Sequence, residues 1–176
     1  CWYFSYWSGC VVEGLEVYVR GRNVIFTFPS NDGLTAVFIA WDVCEFERVR
    51  SNIESSFMGV LSRVPDLEQR ICCGRREERF YGAADLPNFF RKPYGPGWAL
   101  VGDAGNHKDP FLALGICDAF RDAELLASAV EEGFGGKRPL VEALQGYEEQ
   151  RNAAAMADYR ENISFAQFKP VPDQVL

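Results

Sequence analysis

Residues 98–105 read Trp98-Ala99-Leu100-Val101-Gly102-Asp103-Ala104-Gly105, and Asn106 to Pro110 follow before a helix-like run opens at Gly115. Trp98 to Val101 is a short apolar run rich in strand formers, bounded by Gly97 and Gly102, which reads as a buried strand of a parallel sheet. Gly102 lets the backbone turn without a Cβ penalty. Asp103 then sits at the strand tip, an acceptor suited to sugar or polyol hydroxyls. Ligands of open α/β sheets bind just beyond the carboxyl ends of such strands. Gly115 near a helix start permits close approach to free N–H groups and to the positive end of the helix dipole. The order strand, Gly-Asp, loop, glycine-led helix can place one carboxylate and several backbone N–H groups around a nucleotide-like ligand.

The longer string at 97–127, GWALVGDAGNHKDPFLALGICDAFRDAELLA, resembles the second FAD-binding fingerprint of the flavin-dependent monooxygenases of the p-hydroxybenzoate hydroxylase type. Asp118-Ala119 and Asp122-Ala123 on the following helix belong to the match. The resemblance implies FAD as cofactor and NAD(P)H as co-substrate. It assigns Asp103 to the ribityl chain and counts Gly102 among the cofactor-binding residues. Pro110, Ala113 and the backbone at Leu114, Gly115 and Ile116 fall where the family brings N–H groups to the pyrimidine edge of the flavin. In that family reduced flavin forms a hydroperoxide that transfers one oxygen atom to substrate, so no protein nucleophile is needed.

Two departures from the pattern stand out. Ala113 stands where the family usually has glycine, and an alanine methyl crowds the ligand or resists a positive φ. The strand, Gly-x-Gly-x-x-Gly turn and helix that bind the ADP half are not found. Gly133-Phe134-Gly135-Gly136 reads as a helix C-terminus and loop leading into Lys137-Arg138-Pro139. The family's middle Asp-Gly motif is also missing: Asn31-Asp32-Gly33 reads as a turn between two strands. Together with a start at Cys1 inside a strand-like run, these absences lead to the expectation of a C-terminal portion of a longer flavoenzyme.

Composition sets further bounds. Of 176 residues, 48% are hydrophobic and 14% aromatic, enough for a sizeable core and against disorder. A formal charge of −7 argues against a nucleic-acid partner, which calls for a basic face. No apolar run approaches the length of a membrane span. No signal-peptide pattern is read, and a cytoplasmic location is the expectation. The six cysteines include the adjacent Cys72-Cys73 but no CxxC pair, and His107 is the one histidine, so no metal site is expected. Cys1 and Cys10 are placed to meet across a hairpin, while reduced buried thiols are the plainer reading.

The expected fold class is α+β, a fragment of an α/β FAD-binding fold. An antiparallel sheet with a helix, the substrate region, occupies 1–97. The last strand and C-terminal helices of the FAD domain occupy 98–176. Trp2 to Trp7, Leu15 to Arg20, Asn23 to Pro29 and Leu34 to Trp41 read as a meander, with Val24, Phe26 and Phe28 on one face. Asp42 is a good N-cap, and Phe46, Val49, Ile53, Phe57 and Val60 predict one amphipathic helix running to about Arg63, which Pro65 ends or follows with a short turn. Arg75 to Tyr81 reads as an exposed or edge strand, with an anion site as the lesser alternative.

Two helices are predicted over 115–132 and 138–165. Ala119, Ala123, Leu126 and Val130 form the packing stripe of the first. Leu140, Leu144, Tyr147 and Arg151 form that of the second. Lys169 to Leu176 reads as a loose tail.

By the resemblance, the substrate pocket lies between the sheet and the flavin, with Tyr18, Phe26, Phe28 and Phe38 as candidate lining for a small apolar or aromatic substrate. The same rings also suit plain core packing. His107 lacks a triad partner and reads as a loop-capping residue. Three functions stay open. The first is an FAD-dependent monooxygenase. The second is a related FAD enzyme such as a halogenase or isoprenoid reductase. The third is a non-catalytic sheet that binds an apolar ligand or partner chain. Unpaired strand edges, that of Val101 in particular, add the expectation of self-association.

Overall fold

The alternation of aromatic and β-branched residues in the first forty positions resolves into four strands: β1 (Trp2–Ser8), β2 (Glu16–Arg20), β3 (Asn23–Pro29) and β4 (Thr35–Ala40). In this computed structural model, which describes residues 1–167, they do not form a simple meander. The sheet order is β2-β3-β4-β1, so β1 lies beside β4 and at the centre. Its free edge is taken by β5 (Arg75–Arg76) and β6 (Tyr81–Ala83), both antiparallel to it. The Arg75–Tyr81 stretch is therefore an edge element in two pieces. The Asn31-Asp32-Gly33 turn joins β3 to β4, with Asp32 and Gly33 both at positive φ.

A second difference concerns the helical segment. Asp42 does accept from the Cys44 N–H. The expected single helix is instead broken into α1 (Phe46–Ser51) and α2 (Ile53–Leu61) at Asn52, whose φ of −147° and ψ of 65° leave the helical region. Pro65 does not close the helical region but opens a third helix, α3 (Pro65–Cys73), at its first position, where the missing N–H is harmless. The three helices cover one face of the sheet. There Tyr3, Trp7, Ile25, Val37, Ile39 and Trp41 pack against Val49, Phe57, Leu61, Leu67 and Ile71. Arg70 of α3 forks onto the Glu16 carboxylate at 2.7 and 2.8 Å and ties the last helix to the edge strand β2.

The chain divides into two compact units, the first over Cys1–Asp85 and the second over Leu86–Gln167. The Pro/Gly-rich crossing at 88–97 belongs to the second. That unit holds β7 (Phe89–Phe90) paired with β10 (Asn106–His107), β8 (Tyr94–Gly95) paired with β9 (Trp98–Ala99), and the helices α4 (Gly115–Phe134) and α5 (Leu140–Ala166). The helices pack on each other around Ala129, Ala143, Leu144 and Tyr147, with Leu125, Leu126 and Leu140 at the margin. After Phe134 the chain turns at Gly136, at φ +72°, as a glycine-rich helix end should.

The expectation of a buried parallel strand at Trp98–Val101 is corrected. Only Trp98 and Ala99 are strand, and their partner β8 runs antiparallel through a tight turn at Gly97, φ +79°. Trp98 is 48% and Val101 37% exposed. A buried parallel strand needs ladder partners and helices on both faces. Among the described residues this one finds a single two-residue partner. The Trp98 indole lies over Gly95, where a Cβ would meet the ring at 2.5 Å. The expected stripe on α4 also shifts: Asp118, Asp122 and Ala129 are buried, while Ala123 is exposed. The stripe on α5 holds, with Leu144, Tyr147 and Arg151 all buried. The tail expected at Lys169–Leu176 lies outside the described residues. Among the described residues no helix is long and apolar enough to cross a membrane.

Candidate functional site

The Gly-Asp segment forms a single tight turn over Gly102–Ala104 that leads into α4 through a loop. Gly102 takes φ +56°, and a Cβ there would meet Ala119 Cβ at 2.9 Å. Glycine is needed twice over, for the turn and for the close approach to the helix. Asp103 follows on the exposed side. Its Oδ1 lies 3.7 Å from where a Cβ on Gly115 would stand. The carboxylate is thus beside the first turn of α4.

That helix start is open. No side chain caps it. The first bond of the helix runs from Asp118 N to Leu114 O at 2.9 Å. The N–H groups of Gly115, Ile116 and Cys117 precede it and have no intrahelical acceptor. An acceptor carboxylate, three free N–H donors and the positive helix end meet here without a Cβ on Gly115 to block them. This donor and acceptor set fits a ligand bearing hydroxyls beside ring carbonyls, as the ribityl-flavin part of FAD does.

The loop before the helix is pinned from several sides. Pro110–Leu112 form one short turn, and the Asp109 carboxylate accepts from Phe111 N at 3.1 Å. Asn88 accepts from Asp109 N at 2.9 Å. Phe111 stacks on Phe165 of α5 at 5.6 Å. His107 bonds Pro87 O through Nδ1 and stacks on Phe89 at 5.5 Å, which makes it a loop fastener. Ala113 stands at φ +54°, ψ 27°. The left-handed geometry that glycine favours is kept here with an alanine.

Beneath the turn lies a charged network that apolar periodicity alone did not reveal. Lys108 Nζ pairs with Asp118, each side chain 5% exposed. Arg121 bridges Asp118 at 2.7 Å and the fully buried Asp122 at 3.0 Å. Arg151 is also fully buried, donates to Arg91 O at 2.9 Å and lies over the Phe90 ring. Burial pushes the Tyr147 hydroxyl up, with the Asp122 charge adding to it. Tyr147 donates to Leu100 O at 2.6 Å and so holds the segment that leads into Gly102. The cue in the sequence was the i, i+4 pair Asp118 and Asp122, repeated with small neighbours.

In the first unit the four candidate substrate residues separate. Tyr18 pairs with Ile25 and packs on the helix side. Its hydroxyl bonds Glu16, and burial raises its pKa. Phe26, Phe28 and Phe38 lie on the opposite face. There the register aligns Phe26, Phe38, Phe4 and Tyr81 across β3, β4, β1 and β6. Phe4 stacks on Phe38 at 4.5 Å and on Tyr81 at 5.4 Å, and Phe28 stacks on Phe38 at 5.5 Å. These rings are half-buried. Phe4, which alternation alone does not single out, joins the set because β1 is central, and the buried Trp2 stacks on Phe26 at 5.4 Å.

All six cysteines are free thiols. Among the described residues no three His, Cys, Asp or Glu side chains gather where they could hold a metal ion.

No family model matches the chain. A tryptophan 2-halogenase of Chondromyces crocatus is 26% identical over 156 residues, 82% of this chain and 30% of the halogenase. A probable FAD-dependent monooxygenase of Pseudomonas aeruginosa superposes with a TM-score of 0.79 at 19% identity, over 94% of this chain and 47% of its own. The myxobacterial chondrochloren halogenase gives 0.82 at 18% identity, over 93% and 40%. A geranylgeranyl bacteriochlorophyll reductase-like protein of Thermoplasma acidophilum gives 0.70 at 18% identity, over 94% and 42%. The fold is that of a portion of the FAD-dependent monooxygenases and halogenases, and the halogenase similarity extends the likeness to sequence. The chain spans less than half the length of each of these proteins.

Proposed function

We propose that the chain is part of an FAD-dependent oxidoreductase, and that its second unit holds the ribityl and flavin portion of the cofactor. The observation that carries this reading is the meeting of Asp103 with the open start of α4 at Gly115. Asp103 accepts from ribityl hydroxyls. The N–H groups of Gly115, Ile116 and Cys117 donate to the carbonyl edge of the ring system, and Gly102 lets the turn sit close on Ala119. Bound flavin would supply the redox chemistry, activating oxygen for transfer of one oxygen atom to a substrate. The chain's own residues bind and orient.

The aromatic face of the first unit serves a small apolar or aromatic substrate. Phe4, Phe26, Phe28 and Phe38 offer flat, half-buried surface on which a planar molecule stacks. Tyr18, on the helix side, has no part in it. The primary reading is a monooxygenase using NAD(P)H. The halogenase likeness supports a second reading, in which reduced flavin comes from a separate reductase.

FAD titrated into the isotope-labelled chain tests the cofactor reading. Amide shifts are expected at Asp103 and at Gly115–Cys117, and weak binding is expected because the ADP half finds no partner here. Shifts scattered elsewhere, or none at millimolar FAD, would overturn it. The two chemistries separate on a flavoprotein extended to the length of its relatives. NAD(P)H consumption without halide supports the first, and a halide-dependent product with added reductase supports the second.

A further inference from the structure

We propose that Asn162 is a positioning residue that holds Ala113 in its left-handed conformation and thereby presents the N–H groups of Gly115, Ile116 and Cys117; the ligand side of this inference rests on the flavin reading above. Asn162 lies on α5, 1% exposed, and reaches a loop fifty residues earlier in the chain. Its Nδ2 donates to Asp109 O at 2.9 Å, and its Oδ1 accepts from Leu112 N at 3.1 Å. One amide thus bridges both ends of the turn that ends at Ala113.

The backbone donors along the loop set this contact apart. Pro110 has no N–H. Phe111 N donates to the Asp109 side chain, and Ala113 N donates to Pro110 O at 2.9 Å. Leu112 N is the remaining donor, and Asn162 takes it. Every N–H from 111 to 113 is therefore satisfied, and the helix-start N–H groups beyond Leu114 are left for a ligand.

Ala113 makes this clamp necessary. At φ +54° an alanine pays a steric penalty that glycine does not, so the turn relaxes toward a right-handed geometry unless something fixes the residues before it. Such a relaxation reorients the peptide units that follow, which carry the N–H groups of Gly115, Ile116 and Cys117. Asn162 is buried, and its two bonds fix the carbonyl and the N–H on either side of the turn. It acts through the loop and touches no ligand.

The test uses the labelled chain, with FMN as the probe because it carries the ring and the ribityl chain. Amide exchange at Leu112 and the HN–Hα coupling of Ala113 read the loop directly. In Asn162→Ala, exchange at Leu112 is expected to rise about tenfold or more, and FMN affinity read from Gly115–Cys117 shifts to fall about tenfold. Adding Ala113→Gly is expected to recover at least about a third of that affinity, because glycine holds the turn without the clamp. Such rescue is not expected of a residue that merely stabilises α5. Alanine suits a helix interior, and Asn162→Asp, which keeps the acceptor and loses the donor, serves as a second variant.

Unchanged Leu112 exchange and Ala113 coupling in Asn162→Ala would overturn the clamp. A loosened loop with undiminished FMN shifts would overturn the positioning role and leave the flavin reading standing. An unmodified chain in which FMN shifts nothing would overturn the flavin reading and the presentation of N–H groups together.

Discussion

The Asp103 carboxylate oxygen Oδ1 stands 3.7 Å from where a side chain on Gly115 would begin, so the Gly-Asp turn and the start of α4 form one corner. An acceptor and a row of free donors share it because Gly102 lets the turn press on Ala119 and because Gly115 carries no Cβ.

Asp103 is exposed, so its removal should be silent in stability and felt in binding. Asp103→Ala is expected to change unfolding free energy by no more than about 0.5 kcal/mol. The same change should weaken FMN binding by about 1.5 kcal/mol, near tenfold, through the lost charge-assisted hydrogen bonds. Urea unfolding and FMN titration on one preparation check both halves.

Ala113 predicts a stabilising substitution. Ala113→Gly removes the left-handed penalty and adds unfolded-chain entropy, for a net gain of about 0.5–1 kcal/mol in urea unfolding. A loss of stability of similar size would show that the alanine is not strained at φ +54°.

The two faces of the sheet should respond differently. Phe38→Ala removes a ring stacked on both Phe4 and Phe28. It is expected to cost about 2–3 kcal/mol of stability and to weaken binding of indole, used as a planar apolar probe. Tyr18→Phe, on the helix face, should leave indole affinity unchanged. Equal effects of the two on indole binding would contradict the assignment of the aromatic face.

The Arg70 guanidinium holds the Glu16 carboxyl below its usual range, with the Tyr18 hydroxyl assisting against the opposing effect of burial. A depressed carboxylate pKa contributes stability above the unfolded value, about 4.3 for glutamate, and loses it as pH falls through the folded value. With the side chains 28% and 31% exposed, the pair is worth about 1 kcal/mol. Glu16→Gln should therefore be less stable than the unmodified chain near pH 7, and the gap should close as pH falls below about 4. A gap that persists at low pH would show that the contribution is not ionic.

Local patterning made much of this architecture legible. The four strands of the first unit, the Asp32-Gly33 turn, the positive φ of Gly102 and the helix end at Gly136 all follow from alternation and glycine placement. The position of β1 beside β4 did not, because strand order is set by which apolar faces meet and not by neighbours in the chain. The break at Asn52 and the helix opened by Pro65 were hidden because an apolar 3–4 spacing continues across both. On α4 apolar spacing points to Ala119 and Ala123, while the buried positions in that stretch are held by Asp118 and Asp122. Their burial depends on Lys108 and Arg121, a partnership that no periodicity reveals. Trp98 to Val101 has the composition of a buried strand, yet it meets only Tyr94–Gly95 among the described residues.

Self-association is the expected consequence of that exposed segment. Trp98, Val101, Ile116 and Phe120 all leave apolar surface open. Sedimentation should show concentration-dependent growth beyond the monomer, reduced by Phe120→Ser. A monomer unchanged across the concentration range would contradict it.

The central claim is that the corner of Asp103 and Gly115 recognises a ribityl-bearing flavin. Its most direct measurement compares FMN with lumiflavin, the ring system without the ribityl chain, on the chain and on Asp103→Ala. FMN should bind several-fold more tightly to the unmodified chain, with shifts centred on Asp103 and Gly115–Cys117, and the preference should vanish in Asp103→Ala. Equal affinity for the two ligands in the unmodified chain, or a preference that survives loss of the carboxylate, would contradict the claim.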